Sequence, residues 1–255
     1  MITSDRIAKA RAELMAAQKE LSEALKGNDT RARAPIVRQL HEVRGMLTPG
    51  YPYASQAGQD LVIDRALGSK TGGTFVDIGA YDGVTGSNSL YFEKWRGWSG
   101  VLVEPVQAMR ETATSLRTAA CLPYAVSDKR GEARFLAVTE GYTQMSGLLD
   151  SYDDNLLGKV RADPRHVEAE ITVQTVTIAD VLEESGISDP DFISLDIEGG
   201  ELAALRAFPF EKYRVQAWAI ENNTAGPEIA QIMRDNGYNL IEFCGPDEIY
   251  LLKTP

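Results

Sequence analysis

The chain has 255 residues, of which 44% are hydrophobic and 25% are charged, and its formal net charge is −11 at pH 7. These proportions predict a globular protein with one large domain and an appendage. The acidic balance disfavours nucleic acid as a partner. No apolar run approaches the ~18 residues that span a bilayer, and residues 1–6 lack an apolar signal core. We therefore expect a cytoplasmic protein that binds neither nucleic acid nor a membrane.

The cysteines and the arginines near the N-terminus have simple structural interpretations. Cys121 and Cys244 lie in apolar runs without a metal-binding spacing, so we expect buried free thiols. Arg31, Arg33 and Arg38 form a modest basic cluster. An exposed helix edge is its simplest interpretation, because runs of charge usually mark solvated faces.

Residues 1–50 are predicted to form a helical hairpin ahead of the main domain. Apolar residues spaced three and four apart run through 5–26, and a second stripe of this kind covers 34–47. His41 in the second helix is expected on the helix surface. Two interpretations of the stripes stay open, since they can pack on the domain or form the seam of a homodimer.

Residues 51–255 are predicted to form a single α/β domain. Its pattern alternates between helices and strands, with strands expected at 74–78, 100–104, 120–126, 132–138, 171–176, 192–196, 217–221, 239–244 and 248–253. Strands separated by helices imply a mostly parallel, seven-stranded Rossmann-like sheet with helices on both faces, closed by a hairpin. Residues 139–170 show little periodicity and are predicted to be a long functional loop.

The most informative pattern is Asp77-x-Gly79-x-x-x-Gly83 directly after the first predicted strand. A glycine turn at the carboxyl end of a strand opens the crevice in which α/β sheets bind nucleotide-like ligands. The three close glycines that bring backbone against a pyrophosphate are absent. S-adenosylmethionine, an adenosine cofactor without pyrophosphate, therefore fits better than a dinucleotide. Glu104 ends the second strand, where a carboxylate can accept hydrogen bonds from both ribose hydroxyls.

These residues, taken with later ones, resemble the FkbM-type S-adenosylmethionine-dependent methyltransferases. The matching segments lie between about residues 54 and 223, and they are 55–60, 76–88, 103–105, 125–127, 193–201 and 220–221. The resemblance implies a class I methyltransferase fold and O-methylation of a hydroxyl on a sugar, glycan or natural product. It places the cofactor at Asp77, Gly79, Tyr81, Gly83, Ser87, Glu104, Pro105, Ala125, Val126 and Asp196. Tyr81 departs from the family pattern, in which Asn is common at this position.

A hydroxyl acceptor must lose its proton as the methyl group arrives, so a base or a metal ion has to assist. Asp196, which ends the fourth strand of the predicted parallel sheet, and Glu198 in the following turn are candidate catalytic residues. His166 in the long loop is a third candidate, with an ordinary exposed position as the alternative. Tyr142, Met145, Tyr152 and His166 are expected in the loop that walls the acceptor site.

A divalent cation is a further possibility. Asp196 and the pair Glu221-Asn222 follow neighbouring strands, whose ends lie roughly 5 Å apart. Carboxylate and amide oxygens suit Mg²⁺ or Ca²⁺. In the alternative interpretation, Asp196 and Glu198 only shape the substrate pocket, and Glu221 caps the next helix.

Two other classes of function compete with methyl transfer. A nicotinamide-dependent oxidoreductase on a similar sheet would have a third close glycine and a Tyr-x-x-x-Lys pair, and neither is found. A non-catalytic binding module would use the N-terminal hairpin as its interaction element.

Overall fold

The computed structural model describes residues 2–152 and 154–253. Its helices are α1 (Ile2–Ala24), α2 (Arg33–Leu47), α3 (Gln59–Ala66), α4 (Leu90–Arg96), α5 (Gln107–Leu116), α6 (Asp154–Arg161), α7 (Ile178–Ser185), α8 (Glu201–Ala207) and α9 (Glu228–Asp235). Its strands are β1 (Thr74–Ile78), β2 (Ser99–Val103), β3 (Ala120–Leu122), β4 (Ala125–Val126), β5 (Gly131–Glu140), β6 (Gly147–Leu148), β7 (Val167–Val176), β8 (Phe192–Leu195), β9 (Ala217–Glu221), β10 (Tyr238–Cys244) and β11 (Asp247–Leu252).

A seven-stranded sheet forms the centre of the molecule, in the order β10-β11-β9-β8-β1-β2-β3. The five strands from β9 to β3 are parallel, and β11 and β10 are antiparallel to their neighbours. Helices cover both faces. The predicted mostly parallel, seven-stranded α/β sheet is therefore confirmed.

The two-residue period of the strands decides which acids share a face. Val76 and Ile78 of β1 belong to the core beneath α7, α8 and α9, whereas Phe75 belongs to the core beneath α3 and α4. Side chains alternate along a strand, so Asp77 lies on the face of Phe75. By the same alternation, Glu104, Asp196 and Glu221 lie on this face, at the edge of the sheet where the parallel strands end.

Residues 125–176 build a second sheet, in the order β4-β7-β5-β6. The predicted strand 120–126 is divided at Pro123, which has no N–H to donate, so β3 pairs with β2 and β4 pairs with β7. The predicted loop 139–170 was wrong in detail, because it contains β6, α6 and the ends of the paired β5 and β7. These strand ends are largely solvent-exposed, so their sequence lacks the alternation of apolar and polar residues that predicts a half-buried strand.

Two arginines of the N-terminal hairpin form ion pairs with glutamates of the sheet. Arg33 forms two hydrogen bonds with Glu242 of β10, from Nε to Oε1 at 2.7 Å and from Nη2 to Oε2 at 2.6 Å. Arg31 donates to Glu248 at 2.6 Å and to the carbonyl oxygens of Asn222 and Pro246. The prediction of an exposed helix edge was therefore wrong for these two residues.

His41 was also misplaced by the sequence pattern. The segment after α2 folds back over the helix, so His41 is only 8% exposed. Its Nδ1 lies 3.0 Å from the Tyr51 hydroxyl, and a Cβ added to Gly58 would lie 3.1 Å from the same nitrogen. His41 thus supports the segment that leads into α3.

The remaining predictions about the chain as a whole have mixed outcomes. Both cysteines are free as predicted, with Cys244 buried and Cys121 half-buried. None of the described helices combines the length and the apolar character needed to cross a bilayer. Residues 3–13 of α1 are all exposed. The homodimer seam and the division at residue 50 both stay predictions.

Candidate functional site

A cavity opens at the carboxyl edge of the parallel strands, on the face that carries the acids. All of the predicted cofactor residues except Gly83 line it, namely Asp77, Gly79, Tyr81, Ser87, Glu104, Pro105, Ala125, Val126 and Asp196. Glu198 and Glu221 line the same cavity. The topology therefore brings the predicted cofactor site and most of the predicted catalytic site together.

Asp77 is held by hydroxyl donors. Its Oδ2 accepts hydrogen bonds from Ser89 Oγ at 2.5 Å and from Ser87 Oγ at 3.1 Å. The buried Arg117 donates to both serines and pairs with Glu93 at 3.0 Å. Within the described chain, Asp77 Oδ1 makes no hydrogen bond, which leaves it available to a ligand. The sequence pattern missed Arg117, because it reaches this site from the end of α5.

Gly79 lies where the fold leaves no room for a side chain. Its φ is +81°, and an added Cβ would lie 1.7 Å from the carbonyl oxygen of Asp196. Its N–H and that of Ala80 donate to the carbonyl of Val103. A side chain at position 79 would therefore force β1 and β8 apart where both enter the cavity.

Gly83 has a packing role in the glycine turn. Its φ is +77°, and an added Cβ would lie 3.0 Å from Ala113 Cβ and 3.1 Å from Arg117 Cγ. Gly83 does not line the cavity. It packs the glycine turn against α5, and its predicted contact with the cofactor stays a prediction.

Glu104 is fixed at the end of β2 by two backbone amides. Tyr81 N donates to its Oε2 at 3.0 Å and Val106 N donates to its Oε1 at 2.7 Å. The side chain is 6% exposed. Burial raises the pKa of Glu104 to about 7. Each carboxylate oxygen keeps a free lone pair, so the group can still accept two further hydrogen bonds.

Tyr81 adopts a left-handed backbone conformation with φ of +50°. Asparagine tolerates this region better than tyrosine does, which fits the Asn that the resemblance implies at this position. The Tyr81 hydroxyl lies 2.6 Å from Thr143 Oγ1, so the side chain ties the glycine turn to the segment before β6.

An apolar wall lies beyond Glu104. Ala125 and Val126 of β4 line it together with Val106, Met109 and Phe135. Such a surface suits the faces of a flat aromatic ring.

Three carboxylates converge on the other side of Gly79. One oxygen from each of Asp196, Glu198 and Glu221 lies within 4.8 Å of the others. Glu198 and Glu221 are buried, and Asp196 is half-buried. Burial first, and neighbouring carboxylates second, raise the pKa of Asp196 to about 8 and raise the pKa values of Glu198 and Glu221 well above normal. In the described chain, the buried Glu221 Oε2 has no hydrogen-bond partner.

The turn after β8 aims Glu198 into this cluster. Glu198 has a φ of +60°, which is strained for a residue with a side chain. The carboxylate of Glu201 accepts hydrogen bonds from Ile197 N at 2.9 Å and from Gly199 N at 3.1 Å, and so holds the turn. Backbone strain of this kind is concentrated at functional sites.

Two predicted site residues lie elsewhere. Asn222 donates to the Gly226 carbonyl at 3.0 Å and to Glu248 Oε1 at 2.9 Å, and it does not line the cavity. Glu198 takes its place in the acidic cluster. His166 Nε2 lies 2.7 Å from Glu168 Oε2 on the second sheet, also outside the cavity lining, so the structure does not bring it to the site.

The predicted acceptor wall is present only in part. Met145 lines the cavity. Tyr152 is buried beneath it and donates its hydroxyl to the Met145 carbonyl at 2.6 Å, while Tyr142 is 50% exposed.

A buried polar group at the base of the cavity escaped the sequence analysis. Asp247 accepts hydrogen bonds from Gln59 Nε2 at 3.1 Å and from Asn88 Nδ2 at 3.5 Å. Asn88 Nδ2 also donates to Ser194 Oγ at 3.0 Å, whereas Asn88 Oδ1 is buried without a partner in the described chain. Burial raises the pKa of Asp247 to about 6. A polar residue at the start of β11, opposite Glu221, was the available signal.

A family model and several solved structures are similar to the chain. A family model described as the methyltransferase FkbM domain matches residues 77–240. A crystal structure of Methyltransferase FkbM from Methylobacillus flagellatus is 15% identical, covering 93% of this chain and 58% of that chain, with a TM-score of 0.45. The chain thus spans under two thirds of that protein.

Two further structures are similar to the chain. Precorrin-6y C5,15-methyltransferase from Geobacter metallireducens is 14% identical, covering 81% of this chain and 93% of that chain, with a TM-score of 0.42. A TehB-like SAM-dependent methyltransferase from Corynebacterium glutamicum is 12% identical, covering 77% and 88%, with a TM-score of 0.40. No curated protein sequence matches the chain.

Proposed function

Because the chain belongs to the FkbM methyltransferase family, we propose that it transfers the methyl group of S-adenosylmethionine to a hydroxyl oxygen of a sugar, glycan or natural product. One observation carries the proposal. The acidic cluster of Asp196, Glu198 and Glu221 opens into the same cavity as Asp77 and Glu104. The family membership disfavours the oxidoreductase alternative and leaves the non-catalytic one to experiment.

The cofactor is proposed to lie across β2, β1 and β8. Glu104 accepts hydrogen bonds from the ribose hydroxyls, and the apolar wall with Ala125 and Val126 takes the adenine. Asp77 Oδ1 and the unpaired Asn88 Oδ1 accept hydrogen bonds from the ammonium group of the methionine portion. Charge-assisted hydrogen bonds of this type contribute roughly 1.5–3 kcal/mol each.

The reaction is an in-line displacement. The bond between sulfur and the methyl carbon breaks as the bond between the acceptor oxygen and that carbon forms, and the sulfonium becomes a neutral thioether. The hydroxyl proton passes to the carboxylate of Asp196, which lines the cavity at the end of β8. Glu198 lies beside it and positions the hydroxyl.

We further propose that the cluster of Asp196, Glu198 and Glu221 holds a divalent cation. Oxygens within 4.8 Å of one another can share an ion, given bond lengths of about 2.0–2.1 Å for Mg²⁺ and 2.3–2.6 Å for Ca²⁺. The unpartnered and buried Glu221 Oε2 supports this, because a buried carboxylate oxygen normally has a donor or a cation beside it. A cation there would stabilise negative charge on the acceptor oxygen.

The test is transfer of labelled methyl from S-adenosylmethionine to a panel of sugars, glycan fragments and phenolic natural products. Each reaction is run with chelator and then with excess Mg²⁺. We expect chelator to abolish transfer and Mg²⁺ to restore it. Glu221→Gln should lose this response, whereas Glu211→Gln, at an exposed site, should match the wild type.

Each part of the proposal can fail separately. Transfer that is indifferent to chelator would overturn the cation. Binding of S-adenosylmethionine without transfer to any hydroxyl compound would contradict the enzymatic assignment and favour the non-catalytic binding module.

A further inference from the structure

The three arginines of the N-terminal hairpin differ in their partners. Arg31 and Arg33 each pair with a glutamate on the sheet and donate to two backbone carbonyls besides. Arg38 donates only through Nε, to Glu42 at 3.2 Å, and its two Nη groups make no hydrogen bond within the described chain. The Arg38–Glu42 pair is 55% and 47% exposed at its two side chains. Exposed pairs of this kind contribute little and separate easily.

Arg38 nevertheless belongs to the candidate site. It lines the cavity together with Gln56 and Pro246. Its helix, α2, packs against β10, and four strands separate β10 from β2, which carries Glu104 at its end. Arg38 therefore lies beyond the acidic cluster, on the side of the cavity away from the proposed ribose site.

Charge sets Arg38 apart from every other described residue that lines the cavity. It is the one cation among them, and the acids are Asp77, Glu104, Asp196, Glu198, Glu221 and Asp247. An anionic group placed deep in the cavity would meet these carboxylates in a poorly solvated site, where like charges repel strongly. Beside Arg38, the same group would meet a cation.

A second free polar group lies at this end. Gln56 is exposed, and its side-chain amide makes no hydrogen bond within the described chain. The bridge between Ser55 and Gly86 places Gln56 beside Gly86, where an added Cβ would lie 2.6 Å from Gln56 Cγ. Gln56 therefore offers a second donor in the cavity that Arg38 lines.

We propose that Arg38 binds a carboxylate or phosphate group of the acceptor and so orients the molecule, with its anionic end at α2 and its reactive hydroxyl toward Asp196. A guanidinium presents paired N–H donors that match both kinds of oxyanion. The inference rests on the proposed methyl transfer. It makes Arg38, which lies outside the matched segment 77–240, a residue that determines acceptor specificity.

The experiment measures binding without turnover. The protein is saturated with S-adenosylhomocysteine and titrated by ligand-observed NMR with hydroxy acids and sugar phosphates, each paired with its neutral amide or unphosphorylated counterpart. Wild-type protein should bind at least one acidic compound about tenfold more tightly than its neutral partner. Arg38→Gln should remove this preference, while Arg11→Gln, an equal charge change on exposed α1, should keep it.

The ligand of Arg38 could be a carboxylate of the acceptor or that of the methionine portion of the cofactor. Affinity for S-adenosylmethionine, measured on the same variants by calorimetry, distinguishes the two. We expect Arg38→Gln to bind the cofactor as the wild type does. An Arg38→Gln variant that loses cofactor affinity but keeps the acid preference would overturn the inference, because Arg38 would then hold the methionine carboxylate. The absence of any acid preference in the wild type would overturn it as well. Failure of the wild type to bind S-adenosylmethionine would instead contradict the proposed function.

Discussion

The two ends of the cavity differ in how their carboxylates are partnered. At β1 and β2, serine hydroxyls hold Asp77 and backbone amides hold Glu104. At β8 and β9, Asp196, Glu198 and Glu221 lie against one another, and one buried oxygen has no partner. The first end is preorganised for hydrogen-bond donors such as ribose hydroxyls. The second holds excess negative charge that a proton or a cation would relieve, which suits chemistry rather than simple binding.

Replacing an acid at the second end should have the largest effect. Asp196→Asn removes the proposed proton acceptor, so methyl transfer should fall by about 10²–10⁴-fold. Cofactor affinity, measured by calorimetry, should change far less. Asp189→Asn, at an exposed site, is the matched control. Equal losses of transfer and cofactor affinity would mean that the two ends are not distinct.

A substitution at Gly79, which lies between the two ends of the cavity, should destabilise the whole site. Gly79→Ala places a methyl group 1.7 Å from the Asp196 carbonyl oxygen, so the free energy of unfolding should fall by about 3 kcal/mol or more in urea titrations. Gly72 also has a positive φ but no atom near an added Cβ. Gly72→Ala should therefore lose only about 1 kcal/mol. Similar losses in both variants would contradict the close approach of β1 and β8.

The pH dependence of cofactor affinity tests the first end. Because the pKa of Glu104 is raised to about 7, the carboxyl is protonated below that pH and ionised above it. Ribose hydroxyls donate to the ionised form, so cofactor affinity should be nearly full at pH 8, about half of that at pH 7 and about tenfold lower at pH 6. Glu104→Gln should bind more weakly and show a flat profile over this range. A sloping profile in that variant would assign the titration to another group.

The smallest effect should come from the link between the glycine turn and the second sheet. Tyr81→Phe removes the hydrogen bond to Thr143, which should lower the free energy of unfolding by about 1 kcal/mol. Tyr142→Phe, whose hydroxyl has no partner in the described chain, should be neutral. A neutral Tyr81→Phe variant would show that the link contributes nothing to stability.

The first end was predictable from sequence because its signals are local. An apolar strand, an acid and a glycine turn lie within residues 74–83, and Glu104 ends the next strand. The apolar runs likewise predicted the central sheet. Local pattern failed at the exposed ends of β5 and β7, residues 139–140 and 167–170, which were predicted to be part of a loop.

The second end was only half predictable, because distant segments build it. Asp196 and Glu221 could be predicted because each ends an apolar strand. That Glu198 joins them in the cluster, and Asn222 does not, depends on the strained turn at Glu198 and so on tertiary structure. Arg38 and His41 show the same limit. The spacing of apolar residues in α2 does not reveal that Arg38 lines the cavity or that His41 is buried against the segment before α3.

Calorimetric titration of the protein with S-adenosylmethionine, with NAD as the comparison ligand and Glu104→Ala as the comparison variant, tests the central claim most directly. The wild type should bind S-adenosylmethionine with micromolar affinity and show no heat with NAD. The variant should bind at least tenfold more weakly, because a buried charged acceptor has been lost. Absence of binding by the wild type, or equal affinity in Glu104→Ala, would contradict the account of this cavity as a methyl-donor site.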